Sequence, residues 1–278
     1  MGTIAVGTLF AGRHEHLKRL VEGVARSDEP PAELVIAAMG EAPPDLPDPG
    51  VPVTSISVSK PGADLPLSLA RNEVARSAMT DHILMLDVDC IPSPGLVGSA
   101  RRLLDDRDTV AMGSVRYLPP GRHAFDRLED LGRRHEALPA DPTPGSPLDP
   151  SLFWSLAFAT RRRTWLERID GFDEGYVGYG GEDTDFALRA ERAGVELSWL
   201  GGPPAFHQHH PSLSPPANHL ESIVRNARRF RSIWDRWPME GWLREFEASG
   251  WVSWEPTGTV LELIRPPSRD ELDALRRE

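Results

Sequence analysis

The sequence predicts an α/β protein, with helices packed on a mostly parallel sheet and a helical C-terminal extension. Over the first hundred residues, short apolar segments alternate with amphipathic ones, which is typical of parallel strands joined by helices. The segment 82–88 is apolar almost throughout, as expected of a strand buried on both faces. Pro215 and Pro216 then separate a second helical region. We therefore predict a main domain at residues 1–212 and an extension at residues 213–278.

The individual elements follow from apolar periodicity and from the positions of glycine and proline. Strands are predicted at residues 3–8, 33–39, 53–58, 82–88, 153–160 and 196–200. Helices are predicted at residues 15–26, 67–78, 163–169, 182–193, 219–234 and 242–248. Leu17, Leu20 and Val24 share one face of the first helix, and Gly194 is typical of the residue that ends a helix. Residues 137–150 contain five prolines, which predicts a loop.

The charge balance excludes several classes of protein. The 278 residues include 31 Lys and Arg against 42 Asp and Glu, a net charge of −11. A nucleic-acid binder or a polybasic membrane-surface protein needs the opposite sign. No run of about 18 apolar residues is present, so no transmembrane segment is predicted. Cys90 is the single cysteine, which excludes an intrachain disulfide and fits a cytoplasmic location.

The first candidate site is the Asp87-Val88-Asp89 triplet, a D-x-D motif at the carboxyl end of the strand predicted at 82–88. Ligands of parallel sheets bind at this end of the strands. Two carboxylates two residues apart suit a divalent cation that also holds diphosphate oxygens. The spacing alone decides little, because Asp106 and Asp108 share it and are typical of a solvated turn. A structural turn remains the alternative for Asp87 and Asp89.

The second candidate site is the glycine-rich segment that leads into the helix predicted at 182–193. Glycines let the backbone approach a ligand closely, and a helix N-terminus favours negative charge. Glu182 and Asp183 suit the first turn of any helix, which is the alternative reading. That reading does not explain Tyr176 and Tyr179 among four glycines. Aromatic faces and carboxylates together suit a sugar, so the segment predicts a sugar-binding loop.

The third candidate site is the cluster of His207, His209 and His210. Neutral imidazole is a ligand for Mn²⁺ or Zn²⁺. A lone histidine is more often structural, but three within four residues after a strand indicate metal ligation. The pattern does not decide which of them binds the ion.

Two arginines and a group of tryptophans complete the candidates. Arg13 follows the first strand, and Arg71 lies in the helix before Asp87. Each suits contact with a phosphate or a base, and each equally suits a solvated charge at a helix end. The extension is rich in tryptophan, and we expect most of these side chains to form its core and one to line an acceptor groove. They are Trp234, Trp237, Trp242, Trp251 and Trp254.

In this order and at these distances, the segments resemble the family 2 glycosyltransferases, whose fold is the Rossmann-like GT-A fold. The second half is similar to the galactosyltransferase-type C-terminal region. The resemblance spans roughly residues 3–211. It is carried by residues 8–26, 69–72, 87–92, 171–174, 180–183 and 207–211.

The resemblance implies a role for each matching residue. Asp183 would be the catalytic base, Glu182 would hold an acceptor hydroxyl, and Tyr179 would pack on a sugar beside Gly181. Asp89 would bind a divalent cation, Mn²⁺ or Mg²⁺, together with His207 or His210, of which His207 is favoured. Asp87 would contact the ribose or the donor sugar. Thr8, Arg13 and Arg71 would border the nucleotide.

The sequence departs from the family at the end of the second strand. Family members usually carry an acidic residue there, which holds the base or the ribose. Here the stretch 37–41 offers only Glu41, from a shifted position. The resemblance therefore does not identify the nucleotide.

The resemblance implies transfer of a sugar from a nucleotide-sugar donor, a UDP-sugar first, to a hydroxyl of a saccharide, a lipid-linked or a small-molecule acceptor. We expect direct displacement with inversion, with Asp183 as base. A retaining transferase of the same fold is one alternative. A sugar nucleotidylyltransferase is another, although residues 8–13 are a poor version of its glycine-rich basic loop. A non-catalytic sugar-binding module is the third.

Overall fold

The computed structural model describes residues 2–59 and 62–277 and has a mixed α/β architecture. Its strands are β1 (Ile4–Phe10), β2 (Glu33–Met39), β3 (Val53–Val58), β4 (His82–Leu86), β5 (Cys90–Pro92), β6 (Thr109–Met112), β7 (Val115–Tyr117), β8 (Arg133–Arg134), β9 (Ala157–Arg161), β10 (Glu196–Trp199), β11 (Ala205–His207), β12 (Ser212–Leu213), β13 (Val252–Trp254), β14 (Leu261–Leu263) and β15 (Arg276–Arg277). Its helices are α1 (His14–Val24), α2 (Leu67–Ser77), α3 (Leu96–Asp106), α4 (Leu128–Leu131), α5 (Glu182–Arg192), α6 (Leu220–Trp234), α7 (Glu240–Ala248) and α8 (Arg269–Ala274).

The central sheet has seven strands in the order β10-β6-β9-β4-β1-β2-β3. Only β9 runs antiparallel to its neighbours β4 and β6, so the predicted, mostly parallel sheet is confirmed. Strand β1 lies between β4 and β2, all three parallel. Their carboxyl ends therefore meet at one edge of the sheet, where the D-x-D motif follows β4.

A second sheet of short strands, in the order β5-β11-β7-β8, extends this edge. In β11, His207 pairs with Cys90 on one side and with Tyr117 on the other. Cys90 directly follows Asp89. The pairing of β11 with β5 thus brings the histidine cluster next to the D-x-D motif. The two are more than a hundred residues apart in the sequence.

Helices cover both faces of the central sheet, and each face has its own apolar core. On one face, α2 and α5 bury Val74 and Phe186 against the sheet. On the other, α1 and α3 bury Leu20 and Leu96. The two cores hold β1 and β4 rigidly between them, which fixes the positions of the loops at their carboxyl ends.

The extension has an apolar core of its own, as expected from its tryptophans. Trp237, Trp251 and Trp254 are buried in that core. The region is mainly helical, as predicted, and adds the antiparallel pairs β13–β14 and β12–β15. The boundary at residue 213 stays a prediction.

Helix α6 attaches the extension to the main domain through charged and aromatic side chains. Arg229 forms a bidentate ion pair with Asp173, with one N···O distance of 2.7 Å. Arg225 Nη2 lies 2.7 Å from Asp64 Oδ2, and the Trp234 indole donates to Asp185 Oδ1 (2.8 Å). Among the described residues, no helix is both long and apolar enough to cross a bilayer.

Candidate active site

An open cavity of about 1300 Å³ lies at the carboxyl edge of the central sheet, between the main domain and the extension. Most of the predicted site residues line it: Arg13, Arg71, Asp87, Asp89, Tyr179, Gly181, Glu182, Asp183, His207 and His210. Thr8 does not, because it is fully buried within β1. Residues of all three candidate sites therefore line one cavity, whereas Thr8 does not contact it.

Asp89 and two of the histidines form a compact cluster of potential metal ligands. His207 Nε2 lies 3.5 Å from Asp89 Oδ1, and His210 Nε2 lies 3.4 Å from Asp89 Oδ2. One ligand atom from each of the three residues lies within 4.8 Å of the others. His209 is not part of this group, although it also lines the cavity. Of the three histidines that the sequence singled out, His207 and His210 are thus the two that lie beside Asp89, and their role as metal ligands stays a prediction.

Cationic and imidazole groups surround the buried carboxylate of Asp89. Burial alone would raise its pKa, but contact with His210 and the charges of His207 and Arg13 hold the pKa below its usual range. Arg13 forms an ion pair with Asp89 Oδ2. Burial also lowers the pKa of His207. A buried carboxylate beside two imidazoles is a donor set that suits a divalent transition metal.

Arg71 lies at the centre of a second group of charges, formed by three carboxylates. Its guanidinium is buried and lies 3.8 Å from Asp87, 3.5 Å from Glu182 and 3.8 Å from Asp183. Burial would lower the pKa of Arg71, but Asp183, Asp87 and Glu182 raise it. One arginine therefore links the D-x-D motif to the first turn of α5.

Burial raises the pKa of two of these carboxyls. The pKa of Asp87 rises to about 7, with Arg71 opposing the shift and Asp89 adding to it. The pKa of Glu182 also rises to about 7, through burial and the charge of Asp183, again opposed by Arg71. Oε2 of Glu182 has no hydrogen-bond partner among the described residues. This oxygen is buried, and its capacity to accept a hydrogen bond is unused.

The raised pKa of Glu182 predicts a specific pH dependence of stability. Between about pH 4.5 and pH 7, the folded protein binds this proton and the unfolded chain does not, so ionisation of Glu182 destabilises the fold as pH rises. Glu182→Gln removes that cost. We expect the Tm of Glu182→Gln, relative to the Tm of the parent, to be higher at pH 8 than at pH 5. Glu191→Gln, at the exposed end of α5, is the control; equal differences at both pH values would contradict the assignment.

Asp183 is held by one carboxylate oxygen, and its other oxygen is buried beside Arg71. Its Oδ2 accepts a hydrogen bond from the Ser155 main-chain N–H (3.1 Å). Its Oδ1 accepts none among the described residues and lies 3.8 Å from Arg71. Gly181, with φ of 93°, turns the chain into α5 just before it. The carboxylate thus has a fixed orientation and a free acceptor oxygen.

Three stacked rings form one wall of the cavity. Tyr179 stacks on His219 at 4.9 Å and on Trp242 at 5.9 Å, measured between ring centroids. Tyr179 is 39% exposed, and all three residues line the cavity. We expected one tryptophan of the extension to line the site, and Trp242 lines the cavity. His219 was not predicted, because nothing in its sequence neighbourhood marks it.

The glycine-rich segment before α5 packs tightly against the extension. A Cβ at Gly178 would lie 2.5 Å from the Ser222 Cβ, and one at Gly180 would lie 2.8 Å from the Met239 sulfur. Both glycines have positive φ. The Tyr179 N–H also donates to Ser222 Oγ (3.2 Å). The glycines therefore serve close packing, and α6 fixes the position of Tyr179.

Tyr117, His135 and Trp154 also line the cavity, and they had no recognisable signal in the sequence. His135 packs edge-on against Trp154, with ring centroids 4.8 Å apart. Tyr117 packs on His207 at 4.9 Å. At the other end of the cavity, Glu41 accepts a hydrogen bond from the Gly12 N–H and lies 3.2 Å from His14 Nε2. Glu41 thus lies at the cavity edge past β2, the position for which the sequence singled it out.

Comparison with known proteins shows similarity to enzymes that build polysaccharides and to a galactosyltransferase domain. The family model described as the N-terminal domain of galactosyltransferase matches residues 151–211, which include Asp183, His207 and His210. The chondroitin synthase of Escherichia coli is 27% identical over 177 residues, or 52% of this chain and 25% of that protein. The hyaluronan synthase of Pasteurella multocida is 30% identical over 173 residues, or 52% of this chain and 18% of that protein. The matched region is thus at most a quarter of these relatives.

Solved structures agree at the level of the fold. The crystal structure of S. aureus TarS superposes with a TM-score of 0.53 at 13% identity, covering 83% of this chain and 39% of that one. The TarS 1–349 structure gives 0.52 at 14% identity, covering 89% and 72%. Both structures have the GT-A fold. The chain therefore has the GT-A fold, and its resemblance to the family 2 glycosyltransferases is confirmed.

Proposed function

We propose that this chain transfers a sugar from a nucleoside-diphosphate donor to a hydroxyl acceptor, with a divalent cation at Asp89, His207 and His210 and with Asp183 as general base. One observation carries the proposal. A cluster suited to a metal and a carboxylate with a free oxygen line the same cavity, and Arg71 contacts both Asp87 of the D-x-D motif and Asp183. Sugar transfer needs both groups close together.

The residues present fit a transition-metal ion. Asp89 is a buried carboxylate that needs positive partners, and Arg13 is one of them. Two imidazoles and one carboxylate favour Mn²⁺ over Mg²⁺, which prefers oxygen ligands alone. When bound, the cation offsets the negative charge of the diphosphate leaving group.

The protein groups account for the remaining steps. Asp183 accepts the proton of the acceptor hydroxyl, as the acceptor oxygen bonds to the anomeric carbon and the bond from that carbon to the phosphate oxygen breaks. The nucleoside diphosphate leaves with the electron pair of the broken bond. Arg71 holds Asp183 beside the reacting centre. Attack opposite the leaving group inverts the anomeric configuration.

On the donor side, the proposal places the nucleotide at the ends of β1 and β2. Arg13 lies beside the metal cluster and suits the diphosphate, and Glu41 at the cavity edge suits a ribose or a base. We propose a UDP-sugar as the first donor to test. The names of the relatives, chondroitin and hyaluronan synthase, favour a saccharide as acceptor. The cytoplasmic location stays a prediction.

A donor panel tests the proposal. UDP-, GDP- and dTDP-sugars with Mn²⁺ are scored by release of nucleoside diphosphate, with and without oligosaccharide acceptors. Release that needs Mn²⁺ supports the proposal, and NMR of the product distinguishes inversion from retention. Release of pyrophosphate would indicate a nucleotidylyltransferase, and binding without release would indicate a sugar-binding module.

The ring wall predicts a separate effect on acceptor binding. Trp242→Ala removes one face of the Tyr179 stack, and we expect acceptor KM to rise about fivefold, since such contacts are worth roughly 1 kcal/mol. Donor hydrolysis without acceptor should be unchanged. Trp242→Phe keeps a ring in place and serves as the control. An unchanged acceptor KM in Trp242→Ala would exclude the wall from acceptor binding.

A further inference from the structure

A second cavity, of about 410 Å³, lies beside the edge strand β8 of the second sheet. His135 lines this cavity as well as the main one, so the two are neighbours. The proposed transfer reaction uses none of the other residues around the second cavity.

Three arginines line the second cavity. Arg116 and Arg134 are directly opposite each other in the antiparallel pair of β7 and β8, and Arg133 is next to Arg134. Like charges opposite each other across two strands are unfavourable unless a counter-charge is present. Glu129 supplies one, since its Oε1 lies 2.6 Å from Arg116 Nη1.

The other two arginines have no acidic partner among the described residues. Arg133 donates to the main-chain oxygen of Asp130 (3.1 Å), and Arg134 donates to that of Leu138 (3.4 Å). Asp141 is the one acidic residue that lines the cavity. In a protein with a net charge of −11, this cavity is locally positive.

The position of the second cavity suits contact with the acceptor and not with the donor nucleotide. Strand β8 is two strands away from β11, which carries His207, a separation of about 10 Å at the usual strand spacing. Arg13 and Glu41, proposed for the nucleotide, follow β1 and β2 in the other sheet. An acceptor chain could place the sugar that carries the reacting hydroxyl at Asp183 and run past His135. A further sugar of the same chain would then reach the arginines.

We propose that the second cavity is a subsite for an anionic group on an oligosaccharide acceptor, either the carboxylate of an acidic sugar or a phosphodiester. The inference rests on the proposed function, because it presumes that the main cavity admits an acceptor. Guanidinium groups hold carboxylates and phosphates in a bidentate manner, and two such groups without acidic partners are available. The subsite selects acidic chains over neutral ones of the same length.

The test compares oligomers of equal length by isothermal titration calorimetry. Hexagalacturonate carries carboxylates, a six-unit glycerol phosphate oligomer carries phosphodiesters, and cellohexaose is neutral. We expect at least one anionic oligomer to bind ten times more tightly than cellohexaose at low salt, with the preference weakening as salt is added. The tighter of the two anionic oligomers identifies the anion.

Variants locate the binding. The double variant Arg133→Gln with Arg134→Gln should lose about tenfold in affinity for the anionic oligomer and none for cellohexaose. Arg163→Gln, an exposed arginine paired with Glu167, is the matched control and should keep parent affinity. Equal binding of anionic and neutral oligomers, or unchanged affinity in the double variant, would overturn the subsite.

Donor turnover is measured separately, so the two proposals fail separately. Mn²⁺-dependent release of nucleoside diphosphate without preference for an acidic acceptor leaves the function standing and removes the subsite. Arginine-dependent binding of an acidic oligomer without turnover of any donor leaves the subsite standing and removes the transferase assignment for this chain.

Discussion

Asp183→Asn is expected to lower the rate of sugar transfer by about 10²- to 10⁴-fold while leaving donor affinity within about twofold of the parent. The amide keeps an oxygen that can accept the Ser155 N–H, so the side chain stays in place. It cannot take up the proton of an acceptor hydroxyl at neutral pH. The loss should therefore be in kcat and not in donor binding.

The measurement separates these two quantities. Transfer is followed by product formation and by release of nucleoside diphosphate, and donor affinity by calorimetry with Mn²⁺. Glu191→Gln changes the charge of α5 at its far, exposed end and controls for a general effect on that helix. Transfer at the parent rate in Asp183→Asn would show that another group is the base.

Asp89→Asn is expected to abolish metal-dependent donor binding and to slow transfer about a thousandfold. The loss of the ligand removes an electrostatic contribution of several kcal/mol, and each 1.4 kcal/mol corresponds to a factor of ten. The substitution also leaves Arg13 without its carboxylate partner. We therefore expect weak, chelator-insensitive nucleotide binding in the variant, held by the arginine alone.

Two measurements check this prediction. Nucleotide affinity is compared with Mn²⁺ and with chelator, and Mn²⁺ binding is followed directly by electron paramagnetic resonance. The matched control is Asp106→Asn. Asp106 and Asp108 have the same spacing as Asp87 and Asp89 but do not line the cavity. If Asp89→Asn still binds nucleotide more tightly with Mn²⁺ than with chelator, the metal lies elsewhere.

The central sheet could be predicted because its strands are apolar and bounded by turn residues. Strands β2 and β3 have the predicted ends, and β4 differs only by ending at Leu86. The second sheet could not be predicted, because strands of two or three residues carry no measurable period. Helix α3 was also missed, although Leu96, Val97 and Ala100 mark its buried face. The strand expected at 153–160 begins only at Ala157, after a 3₁₀ turn at Pro150–Leu152.

The candidate site was predictable in its members but not in their contacts. Asp87, Asp183 and the histidines stood out because residue type and position after a strand or before a helix mark them. The burial of Arg71 among three carboxylates depends on packing between α2, β4 and α5, which no local pattern encodes. Contact between Arg71 and the nucleotide stays a prediction, and the structure adds that Asp87, Glu182 and Asp183 surround this arginine. His219 and Trp242 reach Tyr179 only because α6 packs beside the glycine-rich segment.

The stack of Tyr179 between His219 and Trp242 divides the cavity between two parts of the chain. The strands of the main domain supply the groups proposed for the nucleotide and the metal, whereas the extension supplies two of the three rings proposed for the acceptor. We therefore expect substitutions in the extension to alter which acceptor fits without touching a residue proposed for the donor. In the proposed reaction, acceptor choice can thus be changed while the donor chemistry stays the same.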